Sequence, residues 1–173
     1  MCALNIEPKI IKEKSLKLLG CVFYGDPFHS AKEWTIENEI GKTWLRFGTL
    51  FRKYSILLEK INVNPYVAYE IHIEPEEYKK TKKYNIFVGI EVKNYDKIPL
   101  EMFVKILPKT SYVMFITKGR DFSEGEYVFK KWLPNSNCEQ AYPYIIQSYD
   151  RRRFKALDDD ESEIDWYIPI KEK

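Results

Sequence analysis

Histidine and cysteine are scarce in this sequence, with two His and three Cys among 173 residues. Cys2, Cys21 and Cys138 lie far apart and form no Cys-x-x-Cys pair. That spacing argues against a zinc site and against a disulfide framework. An odd number of thiols, with no signal-peptide-like apolar stretch in Met1–Lys12, points to reduced cysteines and a cytoplasmic location. His29 and His72 are too few for a histidine-based metal centre. Glycine is also low, at seven residues, and no phosphate-cradling loop or nucleophile elbow can be assembled from them. Neither a metal nor a cofactor is therefore expected. No apolar run approaches the ~18 residues needed to span a bilayer, so no membrane association is expected. Charge of one sign is lacking too. Lys plus Arg is 28 and Asp plus Glu is 26, which gives no general field for binding nucleic acid.

What remains is apolar and aromatic. Hydrophobic residues make up 45% of the chain, with 13 Tyr, 10 Phe and 4 Trp. A chain of this length buries roughly 70% of its unfolded surface, enough for a real core. So many tyrosines raise the prospect of an aromatic-lined pocket as well. The length fits one domain over 1–173, with no room for an appended DNA-binding unit.

Periodicity divides that domain. Leu16–Tyr24 reads as a strand ended by the turn signal Gly25-Asp26-Pro27. Ile36, Ile40, Trp44, Phe47, Phe51, Tyr54 and Leu58 follow at helical spacing, with Ser30-x-x-Glu33 as a candidate capping box. Gly41 and Gly48 within it suggest close helix-to-sheet packing. Tyr66–Ile73 and Tyr84–Val92 alternate as two strands of a hairpin. The order then repeats. Met102–Leu107 and Tyr112–Thr117 read as strands about a Pro108–Thr110 turn, then a short helix runs over Glu124–Leu133 and Pro134 ends it. Tyr144–Tyr149 and Ile164–Ile170 close the pattern. The fold class is α+β, two β-α-β-β halves at about 6–97 and 98–173, with antiparallel sheet and a ligand cleft between the halves. Arg151–Arg153 and Asp158–Glu161 read as charge blocks that compensate one another in a solvated loop.

The last two strands carry the candidate chemistry. Asp165 and Tyr167 share one face, as do Gln147 and Tyr149. On neighbouring strands these four would converge on one surface, to which Glu70 and Glu91 add carboxylates. Trp44 and Phe87 are further aromatic candidates, and Tyr24 could reach the same groove. Two readings of each stay open: ligand wall, or ordinary packing and a wet face. His72 reads as solvent-facing and Cys21 as a small buried hydrophobe.

Trp44-Leu-Arg-Phe47, Val88-Gly-Ile-Glu-Val92, Trp132-Leu-Pro-Asn-Ser136, Tyr149-Asp150 and Glu163–Ile170 together resemble the GyrI-like small-molecule-binding domains. These are the effector-binding modules of AraC-type and related multidrug-responsive regulators. The likeness is greatest to their stand-alone form, the integron-cassette drug-binding proteins. It implies a pseudo-twofold pair of β-α-β-β units and an acidic residue deep in the cleft, at the position held here by Gln147. A cleft holding Gln there keeps a cation only if Asp165, Glu91 or Glu70 substitutes. The resemblance implies a cytoplasmic binder of aromatic or amphipathic molecules, cationic ones among them, that senses, regulates through a separate protein, or sequesters. The alternative it implies is a hydrolase of reactive cyclopropane-bearing natural products, with Glu70, Glu91 or Asp165 as acid–base group and Tyr149 or Tyr167 as phenol donor.

Overall fold

The computed structural model describes residues 8–31, 37–156 and 158–173. Seven strands form one antiparallel sheet: β1 (Lys9–Gly25), β2 (Val67–Ile73), β3 (Tyr84–Glu91), β4 (Phe103–Lys118), β5 (Cys138–Gln140), β6 (Tyr144–Asp150) and β7 (Glu163–Glu172). Their order is β4-β1-β3-β2-β6-β7-β5, and β4 also pairs with β7. Six strands therefore close into a ring, with β5 outside it. The halves correspond as the sequence implies, β1-β3-β2 matching β4-β7-β6 across the β2–β6 and β1–β4 seams. Helices α1 (Glu39–Lys53) and α2 (Ser55–Ile61) follow β1, and a single turn, α3 (Tyr78–Thr81), joins β2 to β3. In the second half α4 (Ser123–Tyr127), a π turn over Val128–Trp132 and α5 (Leu133–Asn135) run on continuously. Among the described residues no helix is long and apolar enough to cross a membrane, and no cluster of potential metal ligands is found.

Ring closure gives the sheet two buried faces. Leu18, Tyr69, Ile71, Phe87, Tyr112 and Ile146 pack inside it. Leu19, Cys21, Ile86, Val88 and Ile90 pack outward against Ile40, Phe47 and Leu50 of α1. Val113, Phe115, Ile168 and Ile170 pack outward against Val128 of the π turn. Closure needs a tight crossing where Gly20 faces Gly89. A Cβ on Gly20 would lie 1.9 Å from the Val88 carbonyl oxygen, and one on Gly89 2.3 Å from that of Leu19. Only glycine permits that approach.

Several elements differ from the sequence reading. The long helix begins at Glu39, where the Asn38 side chain accepts from the Gly41 N–H at 2.8 Å as N-cap. Ser30 instead hydrogen-bonds the Glu37 carbonyl and Glu39 side chain, while Glu33 and Ile36 lie outside the described residues. The helix breaks at Tyr54, whose hydroxyl donates to Glu101 at 2.7 Å. Pro108 makes no turn. It sits within β4 where the register with β1 shifts, Lys14 facing Thr110 and Leu16 facing Leu107, so its missing N–H breaks no ladder bond. Pro134 lies in the first turn of α5 rather than ending a helix.

Candidate functional site

A cavity of about 830 Å³ lies outside the ring, between α1, the β2–β6 seam and the segment that follows β6. It lies against α1, on the outer face of the sheet. Its wall on α1 is the stripe Gly41, Trp44, Leu45, Gly48 and Arg52, spaced by three and four residues. Gly48 contributes room, not close packing: a Cβ there would meet only the Arg52 guanidinium, at 3.7 Å. Opposite stand Ala68 and Glu70 of β2, Tyr149 of β6, and Tyr66 and Phe154 of the flanking segments.

The polar base of this cavity is Glu70, buried to 1% exposure. It occurs there because β2 alternates, placing Tyr69 and Ile71 inside the ring and Ala68, Glu70 and His72 outside, with Glu70 beneath Trp44 of α1. The Trp44 indole N–H donates to Glu70 Oε2 at 2.5 Å, and His72 Nε2 lies 2.6 Å from Oε1. His72 is therefore a partner of a buried carboxylate and not a solvent-facing side chain. Trp44 meets Tyr149 edge to face with centroids 5.1 Å apart, and Tyr149 meets Phe154 at 4.8 Å. The Tyr149 hydroxyl donates to Gln147 Oε1 at 2.7 Å. Burial first, then the neighbouring Glu70 charge, pushes the Tyr149 phenol well above its ordinary range, so it remains a neutral donor. The arrangement is a carboxylate held by hydrogen bonds at the foot of an aromatic box.

The nine candidate residues fall into separate places. Trp44, Glu70 and Tyr149 line the cavity, with Gln147 buried directly behind them. Asp165, Tyr167, Phe87 and Glu91 sit on the other face, inside the ring. The register pairs Gln147 with Trp166 and Ser148 with Asp165, so the two polar–x–Tyr pairs do not converge. Both strands are buried on both faces, and alternation alone leaves the shared face undetermined. Asp165 pairs with Arg153 there, and one of its oxygens has no partner. Glu91 contacts Lys14 at 3.6 Å and accepts from Tyr69 at 3.4 Å. Tyr24 stands apart, exposed at the end of β1 and donating to Glu77 at 2.9 Å.

The basic block also differs from its reading. Arg152 forms a fork on Asp150 at 2.5 and 2.9 Å, and Arg153 pairs with Glu163 and Asp165. Arg151 instead lines the cavity, with Arg52 and Arg120. The sequence reasoning missed these three arginines, Tyr66 and Phe154. The one signal that points to part of the wall is the Gly41–Trp44–Gly48–Arg52 stripe.

A search of curated proteins finds no sequence match. Among solved structures, SAV2435 bound to tetraphenylphosphonium is similar at a TM-score of 0.66 and 15% identity, covering 96% of this chain and 94% of that one. An integron cassette protein from Vibrio cholerae is similar at 0.51 and 13%, covering 95% of each chain. A hydrolase from Listeria innocua is similar at 0.53 and 9%, covering 95% and 92%. These likenesses concern the fold. The sequence itself matches the Cass2 family model, integron-associated effector binding protein, over residues 9–170, and the chain belongs to that family.

Proposed function

We propose that this chain binds small aromatic or amphipathic molecules, cationic ones among them, in the cavity under α1, with Glu70 as the charge at its base. One observation carries the reading: a fully buried carboxylate faces a cavity that is otherwise largely aromatic and aliphatic. Its volume lies in the range of small-molecule sites. Trp44 and Tyr149 offer aromatic surface, each worth roughly 0.5–2 kcal/mol to a cation depending on desolvation, whereas the Tyr66 ring already carries the Arg151 and Arg152 guanidinium groups. Glu70 also answers the question posed by Gln147. The two residues are register partners across β2 and β6, so a carboxylate on either strand reaches the same place. The family name, and the lipophilic cation carried by SAV2435, support the same reading. The protein acts as a single domain over 1–173 in the cytoplasm. It makes no nucleic-acid contact itself, and it sequesters the ligand or signals through a separate regulator.

The test uses probes matched in shape and opposite in charge. Tetraphenylphosphonium should raise the melting temperature and quench Trp44 fluorescence, and tetraphenylborate should do neither. At ~100 times the dissociation constant the stabilisation is about 2.7 kcal/mol. Equal response to both ions, lost in no Glu70 variant, rejects the assignment.

A second reading, hydrolysis of a reactive cyclopropane-bearing compound, is favoured by one observation. Glu70 and His72 form an acid–imidazole pair, 2.6 Å apart, beside the Tyr149 phenol. Turnover of such a compound, abolished in Glu70→Gln while binding persists, selects this reading over simple binding.

A further inference from the structure

The charges around the cavity are of two signs and lie at two levels. Glu70 is at the base, buried. Arg52, Arg120 and Arg151 are wall residues whose side chains reach solvent, and Asp158 is the only carboxylate beside them among the described lining residues. The chain's other paired arginines, Arg152 and Arg153, are committed to carboxylates. The three at the cavity have no carboxylate within 4.0 Å among the described residues. The Arg151 guanidinium rests on the Tyr66 ring, at 4.9 Å.

A ligand of a single charge uses only part of this pattern. A plain lipophilic cation is attracted by Glu70 but must pass a rim with three guanidinium groups against one carboxylate. A plain anion is attracted by the rim and repelled at the base. A molecule with both signs gains at both ends. Arginine supplies a planar fork that matches a carboxylate, and such charge-assisted bonds are the strong ones. A singly charged group fits better than a doubly charged phosphate, which would meet Asp158. The size of the cavity sets the spacing, since a sphere of 830 Å³ is about 12 Å across.

Resting on the binding reading above, we infer that the preferred ligand is amphoteric: an aromatic molecule with a cationic or hydrogen-bond-donating end at Glu70 and a carboxylate at Arg52, Arg120 and Arg151.

Rhodamine 123 and rhodamine 110 test this directly. They share one cationic dye and differ in that the first carries a methyl ester and the second a free carboxylate. Fluorescence anisotropy at low salt should show the acid binding about tenfold tighter than the ester, with the ratio falling as salt rises. Arg52→Gln, Arg120→Gln and Arg151→Gln should each lower the acid-to-ester ratio, by weakening the acid more than the ester. Arg151→Lys should restore part of it. Glu70→Gln should weaken both dyes. If the ester binds as tightly as the acid, or the arginine variants leave the ratio unchanged, the amphoteric assignment is overturned while the cavity reading stands. If neither dye binds, and tetraphenylphosphonium does not either, both fall together.

Discussion

Gly48 separates the fold from the proposed site more cleanly than any other residue. It lies in the interior of α1, where glycine costs about 0.8–1.0 kcal/mol relative to alanine. A Cβ added there meets no backbone and no packed ring, only the Arg52 guanidinium at 3.7 Å, an ordinary contact. Gly48→Ala should therefore stabilise the protein by about 1 kcal/mol, an increase of ~2–4 °C in melting temperature for a chain of this size. Gly48→Trp should keep about half of that gain, because tryptophan is a poorer helix former than alanine but still better than glycine. The same indole must project into the cavity, since Gly48 is part of its wall. Ligand affinity should then fall in the order Gly, Ala, Trp while stability stays above wild type. Differential scanning calorimetry and titration with tetraphenylphosphonium measure the two quantities on the same samples. A Trp variant that binds as the wild type does would show that the ligand lies elsewhere. A destabilised Ala variant would show that Gly48 is needed for close packing of α1 and refute the open wall.

The other predictions are briefer. Glu70→Gln should weaken tetraphenylphosphonium by about 2–3 kcal/mol, close to 100-fold, for a charge about 6 Å away at an effective dielectric near 20; calorimetric titration reads it. Glu70→Leu should in addition destabilise the fold by roughly 1–3 kcal/mol, because the Trp44 N–H loses its acceptor, and urea unfolding measures that loss. Tyr112→Phe should destabilise by a similar amount, leaving the buried Tyr144 hydroxyl without its 2.9 Å partner, whereas the double Phe variant should recover most of the loss. Asp150, held down to about 2 by Arg152, has a folded value below its ordinary one. Its contribution is therefore full above about pH 5 and lost as pH falls through 2, so Asp150→Asn and wild type should converge in stability at about pH 1 in urea melts.

Much of the architecture was legible because both halves write the same alternation. Tyr66–Ile73 and Tyr84–Val92 announce their strands through period-two apolar residues and Leu16–Tyr24 through an apolar run ended by a turn signal, and each lies within or close to an observed strand. The length of β1 and β4 was not legible. The stretches Lys12–Ser15 and Pro108–Ser111 are polar, and the register between β1 and β4 shifts there on either side of the Lys14–Thr110 pair. The break at Tyr54 was hidden for another reason. The apolar period continues through it, and what ends α1 is a tertiary contact with Glu101, which no local pattern records.

The site was legible in part, for a geometric reason. Trp44, Glu70 and Tyr149 come from three elements distant in sequence, and each sits at a face that its own periodicity gives correctly. What periodicity cannot give is which faces meet. Asp165 and Tyr167 obey the same alternation as Gln147 and Tyr149, yet the β6–β7 register offsets them by one residue, and an offset of one is a change of face. The same rule underlies the role proposed for Glu70. Because β2 and β6 run antiparallel with Glu70 opposite Gln147, exchange of acid and amide between them leaves the charge at one place in space while moving it 77 positions in sequence. A motif read along the chain records such an exchange as a loss. A sheet records it as a step to the neighbouring strand, and the carboxylate remains beneath Trp44.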